Sequence, residues 1–254
     1  MKGTTENLYL GTSGLVLPVP NKSFYPDEFK ATSRLTYYAS LMNSIEINSS
    51  FYKIPQAATV KRWAAEVPSH FRFAFKLFKG ITHAPNLEFD PSLVNDFITA
   101  ISHVNDKSGC ILVQFPPSIK IRHLLQIYRL IQTLKEDERA SAWQIAFEFR
   151  DESLYVEEIY EELNDAGFFC VLHDKGKASS PLDAATGAPA IYLRFHGPDG
   201  NYRGSYPDEV LYEYASYISE WLAEDKRVFV YFNNTMGAAY QNLKSIQKYV
   251  GNYD

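Results

Sequence analysis

The feature that most constrains the fold is a regular alternation, along the whole chain, of short β-branched or aromatic runs with amphipathic segments. Runs of the first kind predict strands, and segments of the second kind predict helices. Strands that alternate with helices pair in parallel, because each helix returns the chain to the same end of the sheet. The predicted strands are residues 8–13, 44–50, 72–77, 110–115, 144–150, 168–174, 190–196 and 227–234.

The number of these units predicts how the sheet is arranged. Helices are predicted at residues 33–42, 58–66, 91–104, 121–134, 154–166, 208–223 and 238–249. Eight strand–helix units in 254 residues are typical of a closed (β/α)₈ barrel of the TIM type, here one domain over residues 1–254. Residues 175–189 are rich in Ser, Pro, Ala and Gly, so we expect the sixth helix to be missing or short. An open doubly wound sheet is the alternative, since the sequence does not reveal the strand order.

Charge and hydrophobicity narrow the classes of function. The formal net charge is -5 with both signs mixed along the chain, which disfavours a general nucleic-acid binder and offers no polybasic segment to a membrane. The first 20 residues lack the pattern of a leader, and no apolar run approaches the ~18 residues of a membrane span. We therefore expect a cytoplasmic protein whose two cysteines, Cys110 and Cys170, are buried and reduced.

Side-chain alternation along the strands predicts a polar barrel interior. The apolar set of each strand should face the helices, so the opposite set faces inward. Two strands are ambiguous: for the sixth we favour Asp174 over His173, and for the eighth Asn234 over Asn233. The other inward polar residues are Ser13, Glu46, Asn48, Lys76, Gln114, Glu148, Arg150, Tyr192, Arg194 and His196.

Two interpretations of these inward charges stay open. Buried charges are costly unless they are paired or reached by water, so the deeper residues Glu46, Glu148, Lys76 and Arg194 suit a structural ion-pair network. The residues at the strand tips lie where barrel enzymes place their chemistry, and they suit a ligand site. These tip residues are Asn48, Arg150 and His196.

The motifs at the strand ends match a known family. In chain order they are GTSG (residues 11–14), FYP (24–26), EINSSFYKIP (46–55), TVKRWA (59–64), FAFK (73–76), ITH (81–83), VQFPPS (113–118), FEFR (147–150), RFHG (194–197) and YFNNT (231–235). Together they resemble the YecE-like family, domain of unknown function 72, over essentially the whole chain. The resemblance implies a TIM-type barrel and no established activity. Leu15, Val16 and Leu17 depart from the family pattern, in which a tryptophan and a nearby tyrosine usually follow GTSG.

The residue types suggest how such a site would act. Arginine and lysine suit a carboxylate or phosphate, and a histidine beside a carboxylate suits acid–base chemistry. Lys76 is a Schiff-base lysine if its pKa is depressed, whereas pairing with Glu46 would keep it protonated. The candidate catalytic residues are Glu148, His196, Lys76 and Glu46, and the candidate ligand-binding residues are Asn48, Gln114, Arg150, Asp174, Arg194, Asn234 and His83.

Metals and cofactors receive no assignment. Three inward carboxylates are balanced by three inward cations, which does not favour a divalent metal site. The sequence also lacks a glycine-rich phosphate loop, a G-x-S-x-G elbow and an H-E-x-x-H helix, so the cofactor is unknown.

Three functions remain as hypotheses. The first is an enzyme that acts on a small polar or anionic molecule, such as a sugar, a sugar phosphate or a carboxylate. The second is a nucleic-acid-processing protein, and the third is a non-catalytic binding or scaffold protein. The fold does not choose among them, because TIM barrels host many unrelated chemistries.

Overall fold

The computed structural model describes residues 5–176 and 179–251, in which eight strands alternate with helices. The strands are β1 (Leu8–Thr12), β2 (Ser44–Ile47), β3 (Arg72–Lys76), β4 (Ser108–Gln114), β5 (Gln144–Glu148), β6 (Phe169–His173), β7 (Ala190–Phe195) and β8 (Arg227–Phe232). The α-helices are α1 (Arg34–Ala39), α2 (Ser49–Tyr52), α3 (Ala57–Ala65), α4 (Lys79–Thr82), α5 (Pro91–Ile101), α6 (Leu124–Lys135), α7 (Glu157–Asp165), α8 (Asp208–Ala223) and α9 (Ala239–Val250).

The strands form one parallel sheet that closes on itself. Their order is β1-β8-β7-β6-β5-β4-β3-β2, so each strand lies beside its neighbours in the chain. A bridge between Ser13 and Glu46 joins the ends of β1 and β2, the first and last strands of this order. The prediction of a (β/α)₈ barrel is therefore confirmed, and the open doubly wound sheet is excluded.

Local departures from the predicted elements cluster at the C-terminal ends of the strands. The second strand ends at Ile47, and the chain turns at once into the short helix α2. A second short helix, α4, follows β3, and neither helix was predicted. Between β6 and β7 the described residues contain no α-helix, and a 3₁₀ turn lies at Leu182–Ala185. The prediction that the sixth helix is missing or short is therefore confirmed.

Side chains hold the seam between β1 and β2, where the ladder of backbone hydrogen bonds is thin. The Asn43 side chain donates to the carbonyl of Leu8 at 2.7 Å and accepts from the backbone N–H of Leu10 at 2.8 Å. The Tyr38 hydroxyl accepts from the Thr12 N–H at 2.8 Å and donates to the Ser44 carbonyl at 3.0 Å. The seam thus satisfies strand groups that would otherwise be buried without partners.

The barrel interior has an apolar half and a polar half. The outward side chains of the strands pack against the helices in the main core, as predicted. Inside the barrel, a smaller apolar cluster fills the part nearer the N-terminal ends of the strands, and the polar inward residues lie beyond it. The cluster consists of Ala74, Cys110, Leu112, Ala146, Phe169, Val171, Ala188, Ala190, Tyr192, Phe229 and Tyr231.

The orientation of β6 and β8 corrects two predictions. Phe169 and Val171 of β6 belong to the inner cluster, so alternation turns His173 inward and not Asp174. The same alternation on β8 turns Asn233 inward. Asn234 is fully buried outside the barrel interior.

Two further features concern the thiols and the helices. Cys110 and Cys170 are buried free thiols, as predicted, and burial raises the pKa of the Cys110 thiol well above its usual range. Both thiols are therefore unreactive at neutral pH. Across residues 5–176 and 179–251, no helix combines the length and the hydrophobicity needed to cross a bilayer.

The seam depends on a glycine, which gives a test of the fold. A Cβ at Gly11 would overlap the carbonyl oxygen of Ser44, a backbone atom that the seam holds in place. Gly11→Ala should therefore lower the free energy of unfolding by about 2–3 kcal/mol, measured by urea denaturation. Gly251→Ala is the control, because its Cβ would have no neighbour nearer than 3.6 Å. Equal stability of the two variants would contradict this account of the seam.

Candidate functional site

The polar half of the barrel opens into a cavity of about 210 Å³ at the C-terminal ends of the strands, which we call the mouth cavity. Its walls combine three cationic, three amide and three aromatic side chains, and among the described residues no carboxylate lines it. The lining residues are Asn48, Phe51, Tyr52, Lys76, Gln114, Arg150, Arg194, Tyr202 and Asn233.

A larger cavity, of about 370 Å³, lies at the opposite end of the barrel. It is bordered by the start of β1, the end of α9 and apolar residues such as Met42. His70 is the one ionisable side chain on its described wall, so this cavity lacks the converging charges of the mouth cavity. The converging charged side chains lie at the smaller cavity.

At the floor of the mouth cavity, Arg194 of β7 bonds to side chains of two other strands. Its Nε and Nη2 donate to the two carboxylate oxygens of Glu46 at 2.9 and 2.7 Å, and its Nη1 donates to Glu148 at 2.7 Å. Both carboxylates are fully buried, so the three side chains form a buried, ion-paired triad. Every nitrogen of Arg194 is used inside the protein, which favours the structural interpretation of this deep layer.

The remaining capacity of Glu46 is also used. Ser13 donates to one of its oxygens at 2.6 Å, and Tyr192 donates to the other at 2.7 Å. Burial acts to raise the pKa of Glu46, but the charge of Arg194 and these hydrogen bonds outweigh it and lower the pKa. Burial is likewise outweighed at Glu148, whose pKa lies well below its usual range because Arg150 and Arg194 flank it. Neither carboxylate lines the mouth cavity, and neither suits a proton exchange with a ligand there.

Arg150 links the deep layer to the mouth cavity. Its Nη2 forms an ion pair with Glu148 and a 3.0 Å hydrogen bond with Nε2 of His196. Its side chain is only 8% exposed, and its Nη1 is buried without a hydrogen-bond partner in the described structure. Arg150 lines the mouth cavity, and its guanidinium retains a donor that no described residue uses.

His196 is held from behind rather than exposed. Asp174 accepts from the backbone N–H of His196 at 2.7 Å and faces its Nδ1 at 3.3 Å, while the hydroxyl of Tyr206 donates to the other Asp174 oxygen. Burial, together with the charge of Arg194, lowers the pKa of His196, so the ring is neutral and its Nε2 accepts from Arg150. This arrangement makes His196 a group that positions Arg150.

Lys76 reaches the mouth cavity from the last residue of β3. Its Nζ donates to Oε1 of Gln114 at 2.6 Å and lies 4.1 Å from the centre of the Phe51 ring. Burial, followed by the charge of Arg194, lowers the pKa of Lys76 from 10.5 to about 8. A cation–π contact favours the ammonium by about 0.5–2 kcal/mol, which is less than the roughly 3 kcal/mol equivalent of this shift. The cation–π contact therefore offsets only part of the shift, and the pKa of Lys76 stays below its ordinary value.

The structure brings together five of the predicted site residues at the cavity wall: Asn48, Lys76, Gln114, Arg150 and Arg194. The other six lie elsewhere. Glu46 and Glu148 lie beneath the cavity, and Asp174 and His196 lie behind its wall. Asn234 donates to the Gly204 carbonyl and to Asn242, and His83 meets the ring of Phe51 edge to face.

His83 supports the wall without forming it. Its ring meets the Phe51 ring edge to face with 4.8 Å between centres, and its Nδ1 lies 2.9 Å from the hydroxyl of Thr82. Burial and the nearby charges of Lys76 and Lys79 lower the pKa of His83 to about 4. His83 is therefore neutral at pH 7 and fixes the aromatic ring beside Lys76.

Strand alternation missed three residues of the site. His173 lies inside the barrel, where it contacts the Phe149 carbonyl at 2.9 Å and the Tyr155 hydroxyl at 2.8 Å. Asn233 lines the mouth cavity, and Tyr206 anchors Asp174 from the loop after β7. His173 and Asn233 were the rejected choices on ambiguous strands, whereas nothing in the sequence pattern pointed to Tyr206.

The donor set gives no sign of a metal centre. No group of three or more His, Cys, Asp or Glu side chains suited to a metal ion occurs in the described part of the chain. The carboxylates nearest the cavity are already engaged by arginines.

These observations define a TIM-type barrel with a cation-lined cavity at its C-terminal mouth, seated on a buried ion-pair triad. The chain belongs to the family described as Protein of unknown function DUF72, whose model matches residues 9–254. The resemblance to the YecE-like family is thereby confirmed.

Known relatives agree with this assignment. The UPF0759 protein YunF of Bacillus subtilis is 27% identical over 270 residues, covering 91% of this chain and 89% of YunF. The UPF0759 protein YecE of Escherichia coli K12 is 30% identical over 100 residues, 39% of this chain and 37% of YecE. The crystal structure of a DUF72 family protein, EF0366 of Enterococcus faecalis V583, matches with a TM-score of 0.78 at 20% identity, covering 96% of this chain and 95% of that chain. At that identity the structure supports the fold alone.

The triad predicts a large stability effect. Arg194→Met would leave Glu46 and Glu148 buried with much of their compensation lost, and should lower the free energy of unfolding by about 3–5 kcal/mol. Urea denaturation measures the effect, and Arg203→Met, an exposed arginine near the mouth, is the matched control. A stable Arg194→Met protein would contradict a structural role for the triad.

The Lys76 environment predicts its titration. In protein labelled with ¹³C-lysine, the Cε resonance that Lys76→Arg removes should titrate with a midpoint near pH 8, as its pKa indicates. Arg150→Met should move this midpoint upward, because a neighbouring cation is lost and Glu148 is released. The other lysine resonances provide reference curves. A midpoint at or above 10.5, the ordinary value, would show that burial and the arginines do not control this amine.

Proposed function

We propose that the protein is an enzyme that acts on a small molecule bearing a carboxylate or phosphate group, bound in the mouth cavity. One observation carries the proposal: a buried arginine donor, Nη1 of Arg150, has no partner among the described residues at a cavity wall whose charged residues are all cations. An unpaired buried donor of a charged group is costly, and an anionic oxygen would relieve that cost.

The two arginines at the cavity have different roles in this proposal. All three nitrogens of Arg194 are engaged by Glu46 and Glu148, so Arg194 contributes chiefly positive potential. Arg150 has its Nη2 held by Glu148 and His196, which fixes the plane of the guanidinium and leaves Nη1 available. A guanidinium fixed in this way binds an anion with little loss of side-chain entropy.

The uncharged polar residues of the cavity wall suggest which other groups the ligand carries. The Oδ1 atom of Asn48 is buried without a hydrogen-bond partner in residues 5–176 and 179–251. An amide oxygen accepts hydrogen bonds, so its natural partner is a hydroxyl or another donor group. A ligand with an anionic end and a neighbouring hydroxyl, such as a hydroxy acid or a sugar phosphate, fits both unpaired atoms.

The size of the cavity favours a small substrate. Its volume of about 210 Å³ lies below the roughly 300–1,000 Å³ of pockets for drug-sized ligands. The aromatic rings of Phe51, Tyr52 and Tyr202 at its wall offer apolar surface to the carbon skeleton of such a molecule.

Proton transfer in this proposal belongs to Lys76. Glu148 and His196, the acid–base pair expected from the sequence, are buried away from the cavity and engaged by arginines. Lys76 lines the cavity, and its pKa of about 8 gives useful amounts of both protonation states near neutral pH. General acid–base catalysis is most effective when the pKa of the group lies near the working pH.

The proposal predicts that anion binding depends on Arg150. Arg150→Met should weaken the binding of glycerol 3-phosphate at least about tenfold, because a charged hydrogen bond contributes about 1.5–3 kcal/mol. Isothermal titration calorimetry measures the affinity, and glycerol serves as the uncharged ligand control. Arg62→Met, on an exposed arginine of α3, is the control variant and should bind as the unaltered chain does.

Catalysis needs a second measurement on the same proteins. A screen of sugar phosphates and organic acids should detect turnover that Lys76→Met abolishes while the protein remains folded.

Binding of glycerol 3-phosphate that is equal in Arg150→Met and in the unaltered chain would reject the mouth cavity as the anion site.

A further inference from the structure

The surroundings of the Lys76 amine indicate a class of substrate for the proposed enzyme. We infer that Lys76 forms a Schiff base with a small carbonyl compound that bears an anionic group, such as a 2-oxo acid or a phosphorylated aldehyde. The inference rests on the proposed function, because the same cavity must first hold the anionic group near Arg150.

The Lys76 amine has no carboxylate counter-ion among the described residues. Of the two carboxylates nearest the cavity, Glu46 is engaged by Arg194, Ser13 and Tyr192. Glu148 is engaged by Arg194 and Arg150. Lys76 instead donates to a neutral amide oxygen, that of Gln114, and its Nζ forms no ion pair within the described chain. The carboxylates that would stabilise its ammonium form are used by the arginines.

The surroundings lower the pKa of the Lys76 amine. Burial is the largest contribution, and the positive charges of Arg194 and Arg150 add to it. The charges of Glu148 and Glu46 oppose this effect without reversing it. Desolvation and a neighbouring cation are the conditions that make a lysine nucleophilic. Lys76 lines the mouth cavity from the last residue of β3.

One ligand can contact both Arg150 and Lys76. Arg150 offers a free donor to an anionic oxygen, and Lys76 offers an amine on the same cavity wall. A carbonyl carbon close to a carboxylate or phosphate would therefore be held near the amine. An uncharged carbonyl compound gains nothing from Arg150, so the anionic group provides the selectivity.

The reaction is balanced without a further reagent. The neutral Nζ attacks the carbonyl carbon, a C–N bond forms, and a proton passes from nitrogen to the former carbonyl oxygen to give a carbinolamine. The C–O bond then breaks, and the oxygen leaves as water after taking one proton from the solvent. The product is a protonated imine, so a neutral amine, a proton from the solvent and a carbonyl compound have become an iminium and water. Nothing is oxidised or reduced.

The experiment traps this iminium in the full-length chain. The protein is incubated separately with pyruvate, glyoxylate and glyceraldehyde 3-phosphate, reduced with sodium borohydride, and mapped by tandem mass spectrometry. With at least one of these probes, Lys76 should carry the reduced adduct at least tenfold above any other lysine. Acetone and acetaldehyde, which lack the anionic group, should label Lys76 at least tenfold less.

Variants and competition identify the site. Lys76→Arg should abolish the selective adduct, and Lys61→Arg, on an exposed lysine of α3, should leave it unchanged. Arg150→Met should reduce it at least tenfold with the anionic probes. If Lys76→Arg does not fold, competition in the unaltered chain gives the same information, because glycerol 3-phosphate should protect Lys76.

The possible failures are distinguishable. Labelling that follows the exposure of lysines, or that glycerol 3-phosphate does not reduce, overturns the Schiff base. If glycerol 3-phosphate still binds in a manner that depends on Arg150, the proposed anion site stands while the covalent step fails. If neither trapping nor binding is observed, both proposals fail together.

Discussion

The interaction on which the rest of the site depends is the triad of Arg194 with Glu46 and Glu148. Two carboxylates buried in a barrel are stable as anions because the guanidinium of Arg194 bonds to both of them, and Arg150 also pairs with Glu148. The three residues of the triad come from β2, β5 and β7, which are distant in the chain and meet only when the barrel closes. The triad therefore couples closure of the barrel to formation of the site, and it forms a polar floor where most barrels have an apolar layer.

The floor determines what remains available above it. Glu148 is shared between Arg194 and Arg150, so the carboxylates of the triad are engaged beneath the cavity and do not line it. The charges that line the cavity are then cationic in the described structure, although the inward side chains of the barrel include both signs. Lys76 is left with an amide partner, and burial together with the charge of Arg194 lowers its pKa to about 8. The arginines of this arrangement therefore contribute both to the cationic lining of the cavity and to the lowered pKa of this lysine.

The fold could be predicted from the sequence because alternation is a local property. The eight strand-like runs were correctly located, and the outward faces of all but β6 and β8 were correctly assigned. Which faces of β6 and β8 turn into the barrel was not predictable, since apolar and polar residues stand on both faces near His173 and Asn233. Which polar residues would meet a ligand was also beyond sequence patterns. Glu148 and His196 have suitable chemistry, but their burial follows from long-range partners, such as Tyr206 acting through Asp174.

The charge of the substrate would change the state of the lysine that attacks it. An anionic group near Arg150 raises the pKa of Lys76, since a negative charge favours the ammonium form. That effect opposes the neutral amine, but it stabilises the iminium product, which is also a cation. The same anion therefore binds more strongly to the iminium state of the site than to its free-amine state, and interactions that strengthen as the reaction proceeds are those that accelerate it. The triad makes this possible by keeping Glu46 and Glu148 from pairing with the amine beforehand.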